Sequence, residues 1–181
     1  MRTLAGGALR KGGYVLVMRH ASSPFAPPSK ETADPENTRL ERQLDERGRI
    51  AARNMGAAIK RLAIPVGDVL TSPRYRARQT VELAGLDRVR IADELDECAQ
   101  GAKSAIDAQR TEWLRKKAAE RPRAGTDLIL LTHAPNIADA FGDFAPNVEP
   151  GEALVFQPDG KGGTELVGRI KAQDWLRLAE S

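Results

Sequence analysis

The run "GYVLVMRHASS", residues 13–23, carries consecutive apolar side chains from Val15 to Met18 and then stops abruptly at Arg19 and His20. A run this short, β-branched at Val15 and Val17 and bounded by Gly12-Gly13 and a polar break, reads as a buried strand over residues 14–18. "DLILLTHAPN", residues 127–136, repeats the pattern, with its apolar residues giving way at Thr132 and His133. His20 and His133 are the two histidines of the chain. Ligands of open α/β sheets sit beyond the carboxyl ends of the strands. If these two strands belong to one parallel sheet, both histidines arrive at the same edge.

The segments around these runs supply such a sheet. "SSPFAPPSKETADPENTRLERQ", residues 22–43, holds four prolines and opposes regular structure. Residues 44–65 read as a helix capped by Asp45, with Ala51, Met55, Ala58, Ile59 and Leu62 on the buried stripe and Arg47, Arg49, Arg53, Lys60 and Arg61 on the solvated side. A strand in "VGDVLTS" follows, then a helix opening at "SPRYRARQT" with Ser72 as N-cap and Pro73 in its first position. Residues 88–92 suggest another strand. Residues 103–120 form an amphipathic helix with Ile106, Trp113 and Leu114 inward. After the 126–132 strand come a helix beginning near Pro135, a hairpin over residues 152–170 turning at "PDGKGG", and a terminal helix around Trp175. Alternating strands and helices imply a three-layer α/β/α sandwich with a largely parallel central sheet. No repeat or linker divides the chain, so residues 1–181 are expected to form a single domain.

Composition narrows the function. At 181 residues, 41% of them apolar, the chain can bury a core without disulfides, and its one cysteine, Cys98, has no partner to pair with. The net charge of +3 draws anions toward a cleft and is too small for a nucleic-acid signature. No apolar run reaches the length of a membrane span. "MRTLAGGALRKGG" has no hydrophobic centre of the kind a signal peptide needs, and a chain trimmed of its leader would look the same, so the location is open between the cytoplasm, for the chain as given, and the periplasm, for a trimmed one. A phosphate-binding G-x-x-x-x-G-K-[ST] loop is absent, since "GKGG" lies in a hairpin turn. Two histidines without neighbouring carboxylate or cysteine spacing do not make a zinc site, and no metal or cofactor is expected.

What remains is a phosphoryl site. Arg76 sits in the first turn of a helix that follows a strand, where free amide groups and the helix dipole attract phosphate and a guanidinium fork matches its oxygens. A neutral imidazole can attack phosphorus in line, and a leaving alkoxide then requires a carboxylic acid. "ADELDECAQGA", residues 92–102, offers Glu94 and Glu97 as that acid.

In the order "MRHA", "SPRYRARQT", "LDECAQG" and "LTHA", the chain resembles the histidine phosphatase superfamily, with its phosphoglycerate mutase-like fold. The resemblance implies that His20 is the histidine that becomes phosphorylated and that Arg19 is its phosphate-binding neighbour. It makes Arg76 the second arginine and His133 the histidine that binds phosphate and stabilises the transition state. Glu97 satisfies the family's L-x-E-x-x-x-G spacing for the acid, whereas Glu94 does not. Ser23 matches a position that often adds a phosphate contact. Ala21 and Ala134 stand where glycine is usual, and both are small.

The resemblance further implies a metal-independent phosphatase, of the histidine acid phosphatase type, acting on a phosphorylated small molecule or a phosphoprotein. Its alternatives are a phosphohistidine phosphatase, a phosphoglycerate mutase-type transferase, and a silent binding domain of the same fold. Mutases of this fold are longer, with insertions that close over the site, and silent relatives usually lose part of the arginine–histidine set. "THAPNI" and the hairpin resemble a small bacterial branch whose members often carry an export leader. Residues 22–43 and the loop around 98–103 are expected to wall the pocket.

Overall fold

Every second residue of the 15–18 run faces an opposite layer of helices, and this alternation organises the molecule. In the structure, a computed structural model that describes residues 6–180, the run is strand β1 (Val15–Arg19). It is followed by α2 (Glu46–Arg61), β2 (Val66–Thr71), α3 (Tyr75–Leu83) and β3 (Val89–Ile91). Then come α4 (Ala105–Ala118), β4 (Asp127–Thr132), α5 (Ala134–Phe141), β5 (Ala153–Pro158), β6 (Thr164–Ile170) and α6 (Asp174–Glu180). A short helix α1 (Gly6–Leu9) precedes β1, and a 3₁₀ turn at Asp93–Leu95 follows β3; neither is apparent in the sequence pattern. Of the N-terminal stretch read as lacking a leader, residues 1–5 lie outside the described residues.

The six strands lie in the order β3-β2-β4-β1-β5-β6. β3, β2, β4 and β1 pair in parallel, while β5 is antiparallel to both β1 and β6, so β5 alone runs against the sheet. Leu16, Met18, Ile129 and Leu131 pack with Met55 and Ile59 of α2, Val81 of α3 and Trp175 of α6. Val15, Val17, Leu128 and Leu130 pack on the other side with Leu114 of α4 and Ile137 and Phe141 of α5. Side chains alternate across a strand, so a strand with helices on both faces must be apolar throughout. That is why β1 and β4 read as unbroken hydrophobic runs.

Several local expectations need correction. The helix expected over 44–65 begins after its cap Asp45 as foreseen but ends at Arg61, because Ala63 turns into the left-handed region (φ 52°) before Pro65 is reached. Its buried stripe takes Ala52 rather than Ala51. Ser72 does not cap α3. It directly follows β2 and continues its ladder, its N–H donating to the Leu131 carbonyl at 2.9 Å, and the helix starts at Tyr75. Ile106 is 58% exposed, since Leu114 and Ala118, together with Asp107 of the Ser104–Asp107 capping box, form the inner side of α4.

Asp127, at the start of β4, is fully buried. One carboxylate oxygen accepts the Tyr14 N–H at 2.9 Å and the other has no partner among the described residues. Burial pushes its pKa up to about 6. The folded state therefore holds this proton above the pH at which the unfolded chain releases it. Its contribution to stability is present at low pH and is lost as pH rises through the folded value. The unfolding free energy of Asp127→Asn relative to wild type should shift in the variant's favour by about 3 kcal/mol between about pH 4 and pH 7. Denaturant titrations across that range measure it; a pH-independent difference would show that the carboxyl is unperturbed.

Candidate active site

The register of β1 on β4 determines where the histidines meet. Arg19 pairs with Thr132, and the His20 N–H continues the ladder to the Thr132 carbonyl at 3.1 Å. One residue further, His20 and His133 stand side by side with ring centroids 5.3 Å apart. Both are buried, His20 at 4% exposure and His133 completely.

Their hydrogen bonds fix the tautomers. The Ala21 carbonyl, 2.8 Å from His20 Nδ1, can only accept, so Nδ1 carries the proton and Nε2 presents a lone pair. That lone pair accepts from Arg76 Nε at 3.2 Å. Arg76 Nη2 lies 3.2 Å from His133 Nδ1, and a guanidinium can only donate. His133 is therefore protonated on Nε2, which donates to Ser72 Oγ at 2.7 Å. Burial first, and then the charges of Arg76, Arg19 and Arg42, push His20 down to about 3 against the opposing Ala21 hydrogen bond. Burial, Arg76 and the neighbouring His20 hold His133 far below the ordinary imidazole range. Both rings are neutral at pH 7.

Arg76 is the hub. It projects from the first turn of α3 and is 3% exposed. Besides the two imidazoles, its Nη2 meets Glu97 Oε2 at 2.9 Å. Thr80, one turn along, donates its hydroxyl to the Arg76 carbonyl (2.8 Å) and accepts the Ala21 N–H (3.2 Å), joining α3 to the chain just after His20. The first-turn amides of α3 were expected to attract phosphate, but the Tyr75 N–H is directed at Glu41 Oε1 (3.3 Å). It is the guanidinium of Arg76, not the helix terminus, that faces the histidines.

Glu97 is held through its backbone. Its N–H donates to Asp96 Oδ1 (2.8 Å) and its carbonyl accepts from Arg110 (3.2 Å). Asn136 of α5 clamps both sides, donating to the Asp96 carbonyl at 2.8 Å and accepting the Cys98 N–H at 3.0 Å. Glu94 is exposed on the 3₁₀ turn. Arg19 donates to the Val148 carbonyl at 2.9 Å, and its buried Nε has no partner among the described residues. Its guanidinium borders a hollow of about 380 Å³ walled by Gln100, Lys103, Asp139 and Asn147, which includes part of the 98–103 loop expected there.

Ser23, expected as an additional phosphate contact, directs its hydroxyl into its own loop. Its single hydroxyl proton is directed to loop carbonyls, Gln43 at 2.9 Å and Pro24 at 3.3 Å. What Ser23 does hold is Arg42, which sequence reasoning missed. Arg42 donates to the carbonyls of Pro24 (2.8 Å) and Ser23 (3.3 Å), and its charge acts on both imidazoles and on Arg76. The proline-rich loop carrying it is tied down at Asp34, which accepts from Arg49 (3.1 Å), Tyr75 (3.2 Å) and Gln79 (2.8 Å). The loop is tied to α2 as well. Asp45 accepts the Gly48 N–H (2.8 Å) and the Ser22 hydroxyl (2.7 Å). Gly48 is required there, because a Cβ would stand 2.1 Å from the Ser22 carbonyl oxygen.

Two neutral, buried imidazoles joined by one guanidinium, with a carboxylate on the same fork and the charges of Arg19 and Arg42 acting on them, form an arrangement that can offer a nucleophile and stabilise phosphoryl charge. Among the described residues no three His, Cys, Asp or Glu side chains form a group that could hold a metal ion, and no helix is long and apolar enough to cross a membrane. The sequence family described as histidine phosphatase superfamily (branch 1) matches residues 15–130, a span that includes Arg19, His20, Arg76 and Glu97 and stops just short of His133. The chain belongs to the histidine phosphatase superfamily.

Solved structures agree on the fold. The protein histidine phosphatase SixA complexed with tungstate superposes with a TM-score of 0.63 at 17% identity, covering 89% of this chain and 98% of that one. A mutant phosphoserine phosphatase from Entamoeba histolytica in complex with phosphoserine gives 0.60 at 14% identity, covering 88% and 98%. Bacillus stearothermophilus YhfR gives 0.61 at 15% identity, covering 86% and 95%. No curated protein matches the sequence.

Proposed function

We propose that this protein hydrolyses phosphomonoesters by way of a phosphohistidine on His20. The observation that carries the proposal is the His20 Nε2 lone pair, neutral and buried, facing the guanidinium that also meets His133 and Glu97. In the first step Nε2 forms a bond to phosphorus while the ester P–O bond breaks, and Glu97 in its acid form gives its proton to the departing oxygen. Arg76 exchanges its contacts with the imidazoles for the phosphoryl oxygens. Arg19 and Arg42 add positive charge around the transition state, and His133 donates a hydrogen bond there when its proton moves to Nδ1 and Ser72 Oγ donates to Nε2 instead. In the second step the Glu97 carboxylate takes a proton from water, the hydroxide attacks phosphorus, and the N–P bond breaks to return neutral His20 and phosphate.

The place of Glu97 on the Arg76 fork supports an oxygen leaving group over a phosphoramidate, since an alkoxide departs only with a proton. Glu97→Gln should lower the turnover of alkyl phosphates by ~10²- to 10⁴-fold. It should lower kcat/KM for aryl phosphates bearing nitro groups far less, because that ratio reports only the first step and their phenolates leave unaided. Steady-state rates over a leaving-group series test this. A uniform loss would remove Glu97 from the role of acid. A wild type that turns over phosphohistidine peptides and no phosphomonoester would reverse the assignment of substrate class.

A further inference from the structure

Phe25 is the most exposed large apolar side chain among the described residues, 85% open to solvent. It is not a stray surface residue, because it closes a cradle around Arg42. The carbonyls of Ser23 and Pro24 accept from that guanidinium, and the Phe25 ring lies under it, with the Arg42 carbon 5.3 Å from the ring centroid. Three consecutive residues thus grip an arginine whose charge acts on both imidazoles. Phe25 is also five residues from His20 along the chain, within a span of at most ~18 Å. The ring has one face on Arg42 and the rest of its surface bare.

Resting on the phosphatase reading above, we propose that Phe25 is a specificity-determining residue whose open surface takes a flat, apolar part of the leaving group. While Arg19, Arg42 and Arg76 hold the phosphoryl oxygens, an aromatic or heterocyclic ring next to the scissile bond comes to rest against Phe25. Rings pair in offset or edge-on geometry at centroid separations of ~4.5–7 Å, about the reach of a ring attached through one methylene. The Arg42 guanidinium on the covered face keeps the Phe25 ring in one orientation. Little side-chain freedom is lost when a partner arrives.

The test is a comparison of binding by calorimetry for benzylphosphonate, methylphosphonate and inorganic phosphate, on the wild type and on Phe25→Ala. The wild type should bind benzylphosphonate tighter than methylphosphonate. The substitution should weaken benzylphosphonate by about three- to tenfold more than it weakens the other two anions, the worth of an aromatic pair. Equal weakening of all three would mean that the ring acts only by supporting Arg42, and would overturn the proposal. So would a wild type that does not favour the benzyl compound, or a variant that still does. Failure of the phosphatase reading has a separate signature. Selective binding without turnover of any phosphomonoester would sink that reading and leave Phe25 in its role, whereas turnover without benzyl preference would do the reverse.

Discussion

His20→Asn is expected to lose phosphatase turnover by at least ~10⁴-fold while remaining folded. The asparagine amide can still donate to the Ala21 carbonyl, which His20 Nδ1 holds at 2.8 Å, so the bend after β1 keeps its tie. What disappears is Nε2, the His20 lone pair that is neutral, buried and directed at the Arg76 guanidinium. A general base could be replaced by water at moderate cost, but a nucleophile that forms the intermediate cannot. Initial rates with an aryl phosphate, set beside a thermal melt, separate lost chemistry from lost structure. A variant retaining a tenth of the wild-type rate would place the nucleophile elsewhere.

Arg76→Ala should cost ~10³- to 10⁵-fold in kcat, the range associated with an arginine that stabilises a phosphoryl transition state. Its effect is large because one guanidinium serves three partners, His20, His133 and Glu97. Arg76→Lys should recover only part of the loss, since an ammonium supplies charge without the planar fork that spans two imidazoles and a carboxylate. Arg76 also helps to hold both imidazoles low, so its removal should raise the pKa of each, an effect visible in an NMR titration of the two histidines. A loss confined to KM would mean that Arg76 binds substrate and transition state equally and is not part of the chemical step.

The sheet and the histidine pair were legible in the sequence because both follow from short-range rules. A strand covered on both faces must be apolar at every position, and Val15–Met18 and Leu128–Leu131 satisfy that. The polar residues that end the two runs then fall at the carboxyl edge, and Arg19↔Thr132 pairing brings them level. The Glu97 spacing likewise led to the carboxylate that meets Arg76, while Glu94 faces solvent.

Features that depend on contacts distant in sequence stayed hidden. Arg42 stands in a segment whose four prolines say only that it is irregular. Its path is set by Asp34, Gln43 and Asp45 through bonds to α2, α3 and the chain after His20. Ser72 carries every local mark of an N-cap, but the ladder bond to Leu131 keeps it in the sheet, where it orients His133 instead. The Ser23 hydroxyl, too, takes its direction from the loop, donating to the Gln43 carbonyl. The Pro24-Phe25-Ala26-Pro27 stretch gave one usable sign, an aromatic residue placed in a polar loop next to the proposed nucleophile.

The covalent intermediate gives the most direct test. The wild type mixed with a phosphorus-32-labelled aryl phosphate and quenched within milliseconds in alkali should carry close to one label per chain, stable to base, lost in mild acid, and mapped by peptide analysis to His20. The label should be absent from His20→Asn and should accumulate in Glu97→Gln if Glu97 activates water in the second step. Turnover by the wild type with no trapped label at any quench time, or a label on a residue other than His20, would contradict hydrolysis through a phosphohistidine at this site.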